Sequence, residues 1–209
     1  MPIKTNMKRS SRIAAFIVIA HVLAAIQVAS AQGKLVLVDH TTPAFDVGWA
    51  AVSPPQGADW YAFGDGKRAI FAKKLSPVHS FLATAVVRKS GDCCTNVDQL
   101  LSQIRVEQEQ DRQNPRFRIV EQKADLTQWD GLSCVATRIV AEDSGSNVAP
   151  GKPLTFFQKG IACVHPDGTG EVLAMAYSER GGEAEGSPAL VGEGDGFLQG
   201  LKRKKSATE

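Results

Sequence analysis

A single change of hydrophobic period, at Val97, constrains this chain more than any other feature. On either side of it the apolar residues come in short runs rich in Val, Ile, Phe and Thr, bounded by Gly, Asp and Pro. From Val97 they fall instead at Val97, Leu100, Leu101 and Ile104, the spacing that puts four side chains on one face of an α-helix. Strands, one long helix, more strands and a short terminal helix predict an α+β fold. The expected architecture is an antiparallel sheet of about six strands packed with the long helix and a short C-terminal helix.

Lys34 to Val38 and Val47 to Val52 are short strand candidates, the second ended by Ser53-Pro54-Pro55. Trp60 to Phe63 and Arg68 to Ala72 flank Gly64-Asp65-Gly66-Lys67 and read as a hairpin. The Gly-x-Gly-Lys string lacks the spacing of a phosphate loop and sits between strands instead of before a helix. His79 to Arg88 is a further strand. Thr95 with Asp98 three residues on resembles a capping box, so the helix is expected to start there. Leu100 and Ile104 should be buried and Gln103 and Glu107 exposed, with Glu107 to Gln113 a solvated end stopped before Pro115. Phe117 to Lys123, Gly131 to Ala141, Leu154 to His165 and Glu171 to Tyr177 follow at short intervals and imply an antiparallel meander. Gly181 to Pro188 reads as a loop and Asp195 to Leu201 as the closing helix.

The N-terminus sets the expected compartment. Lys4, Lys8, Arg9 and Arg12 precede an apolar run from Ile13 to Ile26, and Ala29-Ser30-Ala31 supplies the small-x-small pattern of a signal-peptidase site. Residues 1 to 31 therefore read as a signal peptide, 32 to 201 as one domain, and 202 to 209 as a basic tail. Cleavage before Gln32 would leave a periplasmic or secreted protein with no stable membrane span, since the apolar run is shorter than the roughly 20 residues a spanning helix needs. It would also remove four of the 24 basic residues and no acid, leaving 20 against 22 and a formal charge of about −2. That balance gives no global electrostatic footprint for nucleic acid.

In an oxidising compartment disulfides are the first reading of Cys93, Cys94, Cys134 and Cys163. A hairpin of 131–141 with 154–164 opposes residues whose numbers sum to about 295; Cys134 and Cys163 sum to 297, which makes them the candidate disulfide. Cys93 and Cys94 stand just before a helix start, where a thiolate is stabilised, and are the candidate reactive thiols. A ring closed between adjacent cysteines is strained and is not assumed.

The order of elements resembles the Mog1/PsbP-like fold, including exported bacterial proteins of the DcrB-like kind. The residues behind the resemblance are Pro54-Pro55 with Trp60, the helix from Thr95, Gly160 to Pro166, and Tyr177-Ser178-Glu179-Arg180 leading to Phe197-Leu198. It covers most of residues 45 to 201. It implies a non-enzymatic accessory or binding protein and supplies no active-site residue.

No nucleophile elbow, zinc-protease motif or calcium loop is present in the sequence. No catalytic residue, metal or cofactor is expected, and His40 and His79 read as surface or structural. His165, Tyr177, Glu179 and Arg180 are the candidates for a polar ligand site. Trp49, Trp60 and Trp129 read as core or rim. The expected role is an exported, non-enzymatic binding or accessory protein of the bacterial envelope, with an envelope protein or a small ligand as partner. Two alternatives are a thiol-active protein using Cys93 or Cys94, and a hydrolase whose site is too dispersed to recognise. A pocket joining His165, Glu179 and a hydroxyl would favour the latter.

Overall fold

The computed structural model describes residues 36–39, 41–90, 93–145, 151–181 and 186–204. Residues 1–31, expected to be a signal peptide, Gln32, His40 and residues 205–209 of the expected basic tail lie outside them. Among the described residues no helix is long and apolar enough to cross a membrane.

The strands are β1 (Val36–Val38), β2 (Phe45–Val47), β3 (Ala50–Val52), β4 (Trp60–Gly64), β5 (Arg68–Ser76), β6 (His79–Lys89), β7 (Phe117–Trp129), β8 (Leu132–Asp143), β9 (Leu154–Val164), β10 (Glu171–Arg180) and β11 (Leu201–Arg203). The helices are α1 (Val97–Asp111) and α2 (Pro188–Gln199). Eight strands form one sheet in the order β1-β4-β5-β6-β10-β9-β8-β7, and three form a second in the order β11-β3-β2. The α+β expectation of about six strands is therefore corrected to a mostly β molecule, with helices of only 15 and 12 residues. The positive φ of Gly48 splits the expected strand at 47–52 into two, and Lys202 and Arg203 pair with β3 instead of beginning a tail.

The chain leaves β6, crosses by α1 to the far edge of the large sheet, and meanders back through β7, β8 and β9 to close against β6 with β10. The sheet thereby has two covered faces. On one, Val47, Val52, Phe71, Leu173 and Phe197 build a core under α2 and the small sheet. On the other, Leu100 and Ile104 of α1 pack on Ala124, Val135, Ala162 and Val172.

Two local expectations shift. The N-cap of α1 is Asn96, whose Oδ1 accepts from the Gln99 backbone N–H at 3.0 Å; Thr95 instead donates its N–H and hydroxyl to Gln99 Oε1. The closing helix starts at Pro188, seven residues earlier than its glycine-rich sequence suggests. Gly194 makes this possible, because a Cβ there would lie 2.4 Å from the ring of buried Tyr177.

Candidate functional site

The apolar stripe of α1 does not stop at Ile104. Glu107 and Asp111 continue it at the next two turns, and both are buried against the sheet, Glu107 at 4 % exposure and Asp111 at 9 %. The expectation that Glu107 is solvated is thus corrected, and Gln103 is half-buried and donates to Glu107 Oε1 at 2.8 Å. Burial first, and the neighbouring Glu107 charge second, push the Asp111 carboxyl up to about 6. Both acids sit in the last turns of a helix whose final turn carries no basic residue, where the helix dipole disfavours negative charge.

Beneath them, α1 and the sheet enclose a cleft of about 50 Å³ between Ile104, Glu107, Asp111, Thr137, Gln158 and Ala176. Gln158, on β9, is 6 % exposed, and its Oε1 is sealed from solvent without a hydrogen-bond partner among the described residues. An unmet buried acceptor costs about 1–3 kcal/mol, so a site that retains one is suited to a group that donates to it. Arg88, on the same sheet face, interacts electrostatically with Glu107; its own pKa is lowered by burial and raised again by that carboxylate.

A pH test follows from the burial of Asp111. A carboxyl whose folded pKa lies above its ordinary 3.8 contributes stability that is complete below about pH 4 and is lost as pH rises through about 6. Asp111→Asn removes this loss. Urea unfolding should find the variant about 1–2 kcal/mol more stable than wild type at pH 8, with no gain at pH 3.5. Equal stability at pH 8 would mean that the ionised carboxylate is not penalised.

The residues expected from sequence to form a polar site are not gathered into one. His165 follows β9, receives the Asp167 N–H on Nδ1 at 3.2 Å and stands edge-on to Trp49 at 5.1 Å. Tyr177 lies under α2, donates to Asp195 Oδ1 at 3.0 Å and has its pKa raised by burial and by that acid. Lys159 also reaches Asp195, at 2.7 Å, so Tyr177 and Lys159 are both already engaged by that acid. Arg180 points to the opposite sheet face, towards buried Asp143.

Glu179 is 2 % exposed and accepts from the Ser187 N–H at 2.6 Å, the Ser187 hydroxyl at 2.5 Å and His79 Nε2 at 2.7 Å. The histidine brought to Glu179 is His79, not His165. The carboxylate stands between hydroxyl and imidazole, whereas a nucleophile relay needs the imidazole between hydroxyl and acid. The indoles are placed as rim and core: Trp60 donates to Glu193 at 2.6 Å, Trp129 donates to the Leu198 carbonyl at 3.1 Å, and Trp49 is half-buried.

Cys134 and Cys163 are directly opposed on β8 and β9, with Cα atoms 4.0 Å apart and both side chains buried. Their sulfurs stand at disulfide distance. Cys93 and Cys94 also have their sulfurs within bonding distance, ahead of α1, and Cys94 is 1 % exposed with φ of 75°.

No protein-family model and no curated protein matches the chain. Among solved structures it is similar to LpqN, described as involved in cell envelope biogenesis of Mycobacterium tuberculosis, with a TM-score of 0.42 and 18 % identity over 75 % of this chain and 83 % of that one. Likeness at that level carries no argument about this chain.

Proposed function

We propose that the protein is an exported, non-enzymatic binding or accessory module of the bacterial cell envelope, and that it works by holding a small ligand in the cleft beneath α1. The observation that carries this reading is the buried Oε1 of Gln158, without a hydrogen-bond partner among the described residues, in a cleft that Glu107 and Asp111 also line. Such a cluster costs stability unless a ligand satisfies it. The opposed pair Cys134 and Cys163 supports an oxidising compartment, as does the N-terminal signal pattern. The order of hairpin, strand, helix, meander and closing helix supports the Mog1/PsbP-like resemblance.

Native mass spectrometry of protein recovered from the periplasmic fraction tests the reading. The expected species begins at Gln32 and carries a bound small molecule that Asp111→Asn lacks. Protein that stays cytosolic with Met1 intact would refute export, and a bare mass in both forms would refute the binding role. A thiol-active role for Cys93 or Cys94 predicts rapid alkylation of the native, unreduced protein. The reading proposed here predicts none.

A further inference from the structure

Resting on the binding role just proposed, the geometry points to the ligand's chemistry: we infer that the cleft takes an amphipathic monovalent cation, its ammonium or guanidinium head seated among Asp111, Glu107 and Gln158 and its apolar body on the neighbouring sheet face.

The inner surface of the cleft is a set of acceptors. Two carboxylates, the Gln158 side-chain carbonyl and the Thr137 hydroxyl line it beside Gln108, whose amide already donates to the Lys123 carbonyl, and the apolar walls are Ile104, Ile139 and small alanines. An anion would meet two acids and the negative end of α1. A neutral hydroxyl could donate once, whereas an ammonium donates up to three times and also neutralises charge. Arg88 is close enough to offset part of the Glu107 charge, so one added positive charge balances Asp111. This selects a monovalent cation over a divalent metal. It also explains why two acids persist at the C-terminal end of a helix without a basic residue in its last turn.

Size and surroundings define the rest of the ligand. A single water takes roughly 10–15 Å³, and the cleft offers about 50 Å³, so it holds a head group and its first methylene, not a ring. The body must lie outside. Ala174 and Ala176 line the cleft and also pair, on β10, with Val86 and Thr84 of β6, and Thr84 pairs in turn with Ile70 of β5. Directly opposed residues share a face, so these side chains form a shallow half-buried apolar strip leading away from the cleft beyond the edge of α1. An alkyl or similar body laid along that strip would bury it while its head fills the cleft.

The probe is n-hexylammonium chloride, titrated into the protein and followed by amide NMR, with hexan-1-ol, sodium hexanoate and methylammonium chloride as comparisons. Hexylammonium should give saturable shifts at the C-terminal half of α1, Thr137, Gln158 and Ala176. It should bind at least ten-fold more tightly than the alcohol or the carboxylate, and at least ten-fold more tightly than methylammonium. Asp111→Asn and Gln158→Leu should each weaken it ten-fold or more, and the amide spectra of both variants should report an intact fold. Equal affinity for the alcohol or the carboxylate would overturn the cationic preference, and equal affinity for methylammonium would overturn the role of the strip. Absence of hexylammonium shifts while protein from the periplasm still carries a small molecule would overturn this inference and leave the binding role standing.

Discussion

Replacing Asp143 by alanine is expected to cost about 3–5 kcal/mol, the penalty for breaking a buried ion pair from one side. Asp143 is fully buried at the end of β8, where it meets Arg116, just before β7, and Arg180, the last residue of β10. Arg116 donates Nε and Nη2 to its two oxygens at 2.8 and 2.9 Å, and the Gly145 N–H donates at 2.9 Å. Arg180 Nη2 lies 2.9 Å from Oδ2 without hydrogen-bond alignment, so its contribution is charge more than a directed bond. Burial on its own would raise the Asp143 pKa. The bonds from Arg116 and Gly145 and the charges of Arg180 and Arg116 outweigh it and hold the carboxyl below its ordinary range. A depressed folded pKa contributes stability that is present above about 3.8 and lost as pH falls below it. Alanine would leave two guanidinium groups, one of them nearly buried, facing each other with no anion. Urea unfolding at pH 7 measures the cost, and repeating it below pH 3.5 should find the gap between wild type and variant narrowed. A loss under 1 kcal/mol at pH 7 would mean that water replaces the carboxylate and that the cluster is not sealed.

The strands that were legible from sequence are those whose ends carry their own chemistry. Gly64 to Lys67 and Pro166 to Gly170 are turns by composition, and the strands beside them fall where that composition puts them. The register of β8 with β9 was legible too, because a hairpin obeys a sum rule: an expected sum near 295 against 297 in the structure. What failed depends on residues far away in the chain. Gly192, Gly194 and Gly196 signal a loop locally, yet Gly194 is where α2 must approach Tyr177. The three-residue strands of the small sheet are too short to carry a period and exist because β3 lies between β2 and β11. Glu107 and Asp111 read from sequence as a solvated helix end because acids usually are. A signal was nonetheless present: they fall at i+7 and i+11 from Leu100, on the same stripe. Glu179 stands out in sequence beside Tyr177, but its partners His79 and Ser187 come from a different strand and from the cap of α2.

Reduction of the protein is expected to lower its stability by about 3.6 kcal/mol through loss of a Cys134–Cys163 bond, and the effect should disappear in Cys134→Ala/Cys163→Ala. The two cysteines are 29 residues apart in sequence and directly opposed across β8 and β9, with Cα atoms somewhat closer than the roughly 4.5 Å of a narrow antiparallel pair. Closing a loop of about 30 residues restricts the unfolded chain by that amount in the chain-entropy model. The competing state is two free thiols in the same place. It is chemically comfortable, because both side chains sit in the core beside Leu132 and Leu173 and behave there as small apolar groups. Packing therefore cannot distinguish the two states, but connectivity can. Non-reducing peptide mapping should recover a linked pair of peptides carrying Cys134 and Cys163, whereas alkylation of both in denatured, unreduced protein would eliminate the bond. Cys93 and Cys94 supply the internal control: being adjacent, they close almost no loop, so Cys93→Ser/Cys94→Ser should retain most of the reduction-dependent loss. If that loss instead follows Cys93 and Cys94, the stabilising bond lies before α1 and the opposed cysteines of the sheet are thiols.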